Sequence, residues 1–376
     1  MCRLFALTSN EFLLSSVALN ALDVMREGHD GSGTGLFLTD LGGRWEKYKD
    51  LPTLSGIFSD DGMRELDDVM SLHHFSVRDE ILIRPTGIPP VGTPKRGNYL
   101  LRAYNIPNEW EELSQKEIQY QLMIIRVGLR EMSIASGAMT VFSFWPDVMM
   151  IKETCEPALI NDYLGLDKAG ISSKIILAQG RQNTNYAINL YACHPFFIEG
   201  IATMTNGENT AFVPIREFLL SRKYPGYMGY QSDSEVFAHI LHYSRNKLGL
   251  DLSFYKHIIT PLMDKELDIH PDGEILRLIK HSCRPLIIDG PNCVIGCLPD
   301  KTLFMVQDSK KLRPGIVGGK DGIFAFSSEM CGLDATIPDR NKHDDFQPMK
   351  YDTVFVSSDR KELKKWNQLE ALPRQR

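Results

Sequence analysis

The chain opens with the stretch MCRLFAL at residues 1–7, in which Cys2 directly follows Met1. If Met1 is removed, Cys2 carries both a thiol and a free α-amine. That amine has an ordinary pKa of about 7.7–8.0, so near neutral pH it can accept a proton. A nucleophile that carries its own general base needs no histidine partner, which is the principle of N-terminal nucleophile catalysis. The alternative is that Cys2 is an ordinary residue at the start of an apolar strand.

Length and composition are those of a globular protein with one large domain or two ordinary ones. The 376 residues are 43% hydrophobic, which allows a sizeable core. The net charge of −6 argues against a nucleic-acid partner, since such proteins normally carry a basic face. No stretch approaches 18 uncharged apolar residues, and no basic and apolar leader is visible at the N-terminus. We therefore expect neither a membrane span nor a secretory signal.

The seven cysteines are an odd number, which together with the absence of a signal sequence fits reduced thiols in a cytoplasmic protein. Cys293 and Cys297 are the only close pair, and we expect both to be core residues of a strand. A zinc site would need further Cys or His nearby, and an iron–sulfur cluster would need a denser run of cysteines. We therefore expect no metal and no cofactor in this chain.

Hydrophobic periodicity and turn residues predict a mixed α and β chain without internal repeats. The predicted strands lie at 3–8, 34–39, 44–48, 99–104, 138–144, 285–288, 293–297, 303–307, 322–327 and 353–357. The predicted helices lie at 11–26, capped by Asn10, and at 60–74, 114–132, 213–223 and 233–245. Residues 60–170, with a Pro- and Gly-rich loop at 85–97, are expected to form an inserted α+β excursion. Residues 361–376 are expected to be an exposed charged tail with a helical Lys/Glu pattern.

The segment from 180 to 233 contains the residue types that an amino-acid substrate requires. Arg181 can hold an α-carboxylate with two parallel N–H bonds, and Asp233 can accept from an α-ammonium. Attack on an amide carbonyl creates an oxyanion that needs preorganised donors. Asn206 can supply its side-chain NH₂ and Gly207 its backbone N–H, since glycine permits close approach.

Each of these residues also has an ordinary interpretation. Asn206 and Gly207 alone would be read as a β-turn. Asp233, with Ser232, could simply cap the helix that follows. Arg181 could be a surface arginine, and His194 a structural histidine.

The motifs nevertheless occur in a characteristic order. They are RQNTN at 181–185, HPF at 194–196, NGE at 206–208 and SDS at 232–234, followed by LRP at 312–314, KDG at 320–322 and SSE at 327–329. With the Cys at position 2, this order and spacing resemble class II, N-terminal nucleophile, glutamine amidotransferases, and most closely the amidotransferase part of glutamate synthase. The resemblance spans residues 2 to about 335 and is weakest over 60–170.

The resemblance implies a four-layer αββα sandwich over residues 1–360 and a role for each motif residue. Cys2 would be nucleophile and base, and Asn206 and Gly207 would form the oxyanion hole. Arg181 and Asp233 would bind the carboxylate and ammonium of L-glutamine, with Thr184 helping near the carboxylate. The chain departs from the family pattern at three positions: Arg3 stands where many relatives have Gly, His194 where Gln is usual, and Glu27 where some relatives have an arginine.

The resemblance also implies a reaction and a partner. The chain would hydrolyse L-glutamine to L-glutamate and ammonia through a γ-glutamyl thioester on Cys2. Ammonia would pass to a separate synthase subunit that carries FMN and iron–sulfur centres and reductively aminates 2-oxoglutarate. Two alternatives are a stand-alone amidohydrolase that acts on a γ-glutamyl or other amide, and a non-catalytic binding subunit of the same fold.

Overall fold

The structure is a computed structural model that describes residues 2–28, 30–86, 97–183, 188–210, 212–227 and 232–373. The strands are β1 Arg3–Leu14, β2 Thr34–Leu41, β3 Pro52–Phe58, β4 Ser76–Ile83, β5 Asn98–Asn105, β6 Met139–Pro146, β7 Val148–Glu153, β8 Ser172–Gly180, β9 Phe196–Ile198, β10 Ile201–Gly207, β11 Asn292–Cys297, β12 Leu303–Gln307, β13 Ile316–Lys320, β14 Ile323–Ser327, β15 Asp352–Val356 and β16 Leu363–Asn367. The α-helices are α1 Ser16–Asp23, α2 Asp60–Leu72, α3 Gln115–Ser136, α4 Pro157–Leu164, α5 Phe212–Ser221, α6 Glu235–His242, α7 Leu252–Ile259, α8 Asp264–Leu267, α9 Gly273–Ser282 and α10 Met330–Thr336.

The first sheet places the start of the chain beside the start of the segment 180–233, which contains the candidate substrate-binding residues. Its six strands run in the order β13-β14-β1-β8-β2-β7, and the pairs are antiparallel. In the β1–β8 pair, Arg3 lies opposite Gly180, so Cys2 and Arg181 lie side by side at the ends of two central strands. On its other side β1 pairs with β14, with Phe5 opposite Ser327.

The second sheet separates two buried layers. Its order is β16-β15-β12-β11-β10-β9, again antiparallel. Side chains alternate between the faces of a strand, and on β12 Leu303 and Met305 join the core shared with the first sheet. Phe304 and Val306 join the second core, under the helices. On β10, Met204 belongs to the core shared by the two sheets. Asn206 is two residues further along and therefore lies on the same face of the strand.

Helices cover the outer face of each sheet. On the first sheet, α1 contacts β1 and β8 and packs beside α4 and α10. On the second sheet, α6 contacts β9 and β10 and packs on α7. The two sheets meet where β10 contacts β1 and β8. The expected four-layer αββα sandwich is therefore confirmed.

A third, four-stranded antiparallel sheet overlaps the stretch at 60–170 where we expected an excursion: three of its strands lie inside that stretch, and β3 precedes it. Its order is β4-β5-β3-β6, and α2 and α3 pack against it. Helix α3 begins with a capping box, in which the Ser114 hydroxyl accepts from the N–H of Glu117 and the Glu117 carboxylate accepts from the N–H of Ser114. The chain returns to the first sheet at β7, before residue 170. The division into domains and the insertion itself stay predictions.

Four sequence predictions of local structure were wrong. Residues 11–14 continue β1, and Ser15, not Asn10, precedes the helix, because Leu13 and Leu14 pair with β8. Residues 44–48 and 285–288 are mainly 3₁₀ turns instead of strands. The charged C-terminal stretch contributes β16, which pairs with β15, where an exposed helical tail was expected. Most of the predicted loop at 85–97 lies outside the described residues.

None of the helices in the described part of the chain combines the length and apolar character that crossing a membrane requires.

Candidate active site

Four separate segments line one cavity beside the ends of β1, β8 and β10. Cys2 precedes β1, Arg181 follows β8, Asn206 and Gly207 end β10, and Asp233 precedes α6. These residues line a cavity with about 580 Å³ of empty space, counted to its open mouth. The structure thus brings together five of the six residues that the sequence predicted for the site. The sixth, Thr184, lies outside the described residues.

Cys2 is half-buried and is held by the backbone of Gln182. The Gln182 N–H donates to Sγ at 3.4 Å, and Sγ lies 3.6 Å from the Gln182 carbonyl oxygen. Burial raises the pKa of the Cys2 thiol, and the N–H of Gln182 and the charge of Arg181 offset only part of this effect. The thiol is therefore protonated near neutral pH, and a base is required to make it a nucleophile.

Arg181 is buried, at 5% exposure, and its backbone is fixed by the glycine-rich turn before β2. The Arg181 N–H donates to the Gly33 carbonyl at 2.7 Å, and the Ser32 hydroxyl donates to the Arg181 carbonyl at 3.3 Å. On the side chain, Nη2 donates to Asn183 Oδ1 at 2.9 Å, whereas Nη1 is buried without a partner among the described residues. A buried guanidinium with an unused donor is suited to a carboxylate ligand.

Asn206 lines the cavity with a buried side-chain amide. The side chain is 1% exposed, and its Nδ2 has no hydrogen-bond partner in the described parts of the chain. Leaving a buried donor unpaired costs about 1–3 kcal/mol, so such groups are expected where a ligand completes them. Gly207 packs closely on β11, since a Cβ there would lie 2.1 Å from the Pro291 carbonyl oxygen.

Asp233 is a buried carboxylate, at 7% exposure, that also lines the cavity. It accepts from the Asn209 N–H at 2.7 Å and from the Ser234 hydroxyl at 3.3 Å. Burial raises the pKa of Asp233, although these two hydrogen bonds act in the opposite direction. Asp233 forms no ion pair with any residue that the structure describes, and a ligand's ammonium could supply one.

His194 lines the cavity and forms a hydrogen bond with β10. Its Nδ1 accepts from the Thr205 N–H at 3.1 Å, so the proton of the neutral ring is on Nε2. Burial, with the nearby charges of Arg181 and Lys152, lowers the pKa of His194 well below its ordinary value. The ring is therefore neutral and serves to position β10, as a structural histidine would.

The structure adds residues that sequence reasoning did not place in the site. Gln182 supplies its backbone to Cys2, and Arg313 lines the cavity. Glu329 pairs with Arg3 at 2.7 Å, which fixes the residue after Cys2. The motifs around Arg313 and Glu329 were the available signal, but they gave no role to either residue. No cluster of three or more His, Cys, Asp or Glu suited to a metal ion occurs within the described ranges.

Comparison with known proteins gives relatives of low identity. No model of a protein family matches the chain. An uncharacterized protein of Archaeoglobus fulgidus is 24% identical over 377 residues, covering 97% of this chain and 94% of the relative.

Three solved structures are similar at 12–13% identity. They are a glutamine phosphoribosylpyrophosphate amidotransferase from B. subtilis complexed with ADP and GMP (12% identity, TM-score 0.46), an allosteric regulatory enzyme of purine biosynthesis (12%, 0.49) and a glutamine aminotransferase class-II domain protein from Silicibacter pomeroyi (13%, 0.32). The match covers 98% of this chain with the first two and 54% with the third, which is itself covered to 78%. The chain spans about half the length of the first two, 49% of each.

Proposed function

We propose that the protein is a glutamine amidotransferase that hydrolyses L-glutamine to L-glutamate and ammonia. The observation that carries the proposal is that Cys2 lines one cavity together with two residues that have unused donors and one residue with a carboxylate. The donors are Arg181 Nη1 and Asn206 Nδ2, and the carboxylate is Asp233. A substrate with an α-carboxylate, an α-ammonium and a side-chain amide satisfies all three at once.

In the proposed reaction, removal of Met1 frees the α-amine of Cys2. The amine takes the thiol proton, and Sγ attacks the side-chain amide carbon of glutamine. The resulting oxyanion accepts from Asn206 Nδ2 and the Gly207 N–H. The protonated amine then gives its proton to the leaving nitrogen, and ammonia departs as the C–N bond breaks. Water, deprotonated by the same amine, attacks the γ-glutamyl thioester. The C–S bond breaks, glutamate is released, and the amine returns its proton to Sγ.

We further propose that the ammonia serves a glutamate synthase-type partner with FMN and iron–sulfur centres. The support is the motif order in this sequence, which continues through the segments at 312–314, 320–322 and 327–329. The alternatives are a stand-alone amidohydrolase and a non-catalytic binding subunit.

Glutaminase assays on the purified full chain and on Cys2→Ala separate these functions. The proposal expects hydrolysis of L-glutamine by the wild-type chain and none by the variant, with stimulation by an FMN-containing partner. Strong hydrolysis that no partner stimulates would favour the stand-alone enzyme. No hydrolysis of glutamine or of other amides, with or without a partner, would favour the binding subunit and contradict the proposal.

A further inference from the structure

A second cavity shares no lining residue with the candidate active site and contains an excess of buried positive charge. We call it the cation cavity and define it by Arg126 and Arg130 of α3, Lys152 of β7, and Glu235 and His239 of α6. All five side chains belong to residues at least nine-tenths buried, with exposures of 4, 8, 6, 1 and 1% in that order. Cys2, Arg181 and Asp233 do not line it.

The charges in the cation cavity do not balance. Two arginines and one lysine line the cavity with one carboxylate, that of Glu235, so the arginines alone outnumber it. Burial and the proximity of Arg130 lower the pKa of Arg126 to about 9, and burial lowers the pKa of Lys152 to about 7. Buried charge is unfavourable unless it is paired. The cavity therefore favours an additional negative charge.

The three basic side chains differ in their hydrogen bonds: Arg130 and Lys152 have protein partners, and Arg126 has none among the described residues. Arg130 pairs with Glu235 at 3.4 Å and donates to the Gly226 carbonyl at 2.7 Å. Lys152 Nζ donates to the Cys193 carbonyl at 2.6 Å. Arg126 forms no hydrogen bond or ion pair with any residue that the structure describes, and its Nε and Nη2 are buried without partners. Its planar fork of donors matches an oxyanion in two-point contact.

His239 adds an acceptor to this cationic wall. Its Nδ1 lies 3.1 Å from the Glu235 carbonyl oxygen, and a carbonyl can only accept, so Nδ1 carries the hydrogen. Nε2 is then an acceptor, and it too is buried without a partner in the described ranges. Burial lowers the pKa of His239 to about 3, so the ring stays neutral. A ligand that completes this site must donate one hydrogen as well as accept several.

We propose that the cation cavity binds a small oxyanion that carries a hydrogen, the chemistry shared by hydrogen phosphate and bicarbonate. Arg126 holds the anionic oxygens, and the ligand's O–H donates to His239 Nε2. The cavity leaves about 30 Å³ for the centres of water-sized atoms. This exceeds the roughly 10–15 Å³ that one water needs, and it is too little for a nucleotide. Sulfate has the same shape as phosphate but carries no hydrogen at neutral pH, so it fits the arginines but not His239.

Calorimetric titration of the full chain tests the proposal with inorganic phosphate, bicarbonate and sulfate, each at constant ionic strength in chloride. We expect phosphate, bicarbonate or both to bind with 1:1 stoichiometry, and sulfate to bind at least tenfold more weakly. Arg126→Met, which keeps an unbranched apolar stem, should weaken binding at least tenfold. Arg64→Met removes an exposed arginine of α2 and should leave binding unchanged.

Two results would overturn the proposal without any variant. One is the absence of 1:1 binding of either protonated anion to the wild-type chain, and the other is equal affinity for sulfate. Unchanged affinity in Arg126→Met, with an unchanged melting transition, would also overturn it. If Arg126→Met does not fold, His239→Phe provides the second test, because it should abolish the preference over sulfate, and a preserved preference would contradict the assignment.

Discussion

Replacing Asn206 by alanine should separate catalysis from stability in this protein. The side chain is buried on β10, whose backbone pairing with Cys293 of β11 does not depend on the side chain. Its Nδ2 makes no hydrogen bond with the described residues. The variant therefore breaks no hydrogen bond of Nδ2 in the resting protein and removes a donor that the proposed reaction uses only as negative charge develops.

The two effects of Asn206→Ala differ in size. Loss of one oxyanion donor costs about 10²–10³-fold in kcat, which corresponds to about 2.7–4 kcal/mol of transition-state stabilisation. In the resting protein, removal of an unpaired buried donor relieves a penalty of about 1–3 kcal/mol. The small cavity left behind offsets part of that relief. We expect a change of at most about 1 kcal/mol in the free energy of unfolding.

Steady-state glutaminase kinetics, together with denaturant unfolding, measure both quantities. The matched control is Thr203→Ala on the same strand, because Thr203 is also buried and its Oγ1 also lacks a partner in the described chain. Thr203 does not line the cavity, so its variant should keep kcat. An Asn206→Ala enzyme that retains more than half of the wild-type kcat would refute the assignment of an oxyanion hole.

Three further predictions follow from the same cavity. Asp233→Asn should raise KM for glutamine about 10–100-fold, because hydrogen bonds to charged groups contribute about 1.5–3 kcal/mol. Because burial raises the pKa of Asp233, ionisation of this carboxyl destabilises the fold as pH rises through that pKa. The melting temperature of Asp233→Asn at pH 7.5 should therefore equal or exceed that of the wild type. A lower melting temperature would contradict this reasoning. Glu329→Gln breaks the pair with Arg3 and should lower kcat while costing at most about 1 kcal/mol of stability; an unchanged kcat would show that Arg3 needs no anchor. The pH profile of kcat/KM should rise as the Cys2 amine loses its proton near its ordinary pKa of about 7.7–8.0, and a flat profile from pH 6 to 9 would exclude the amine as base.

Much of the sandwich could be predicted from local sequence because alternation of apolar residues is a local property. β2 and β11 to β12 lie close to their predicted positions for this reason. The helix predicted at 11–26 failed because Leu13 and Leu14 are apolar in either structure, and only pairing with β8 decides for the strand. Strand preference depends on such tertiary neighbours more than on the residue itself.

The convergence of the candidate residues on one cavity could be predicted where side-chain chemistry is the signal. Arg181 and Asp233 carry charges that an amino-acid ligand needs, and the order of motifs linked them to Cys2. Gln182 gave no signal, because it acts through its backbone and every residue except proline offers the same N–H. The Arg3–Glu329 pair joins residues at opposite ends of the chain, and no local pattern predicts that contact.

The central claim is that Cys2 is the N-terminal residue and the nucleophile, and intact-mass analysis with diazo-oxo-norleucine tests it most directly. The account predicts a chain that lacks Met1 and gains a single adduct, which peptide mapping places on Cys2. Excess L-glutamine should protect against the adduct, and Asn206→Ala should slow its formation. A chain that retains Met1 and still hydrolyses glutamine, or an adduct on any cysteine other than Cys2, would contradict the account.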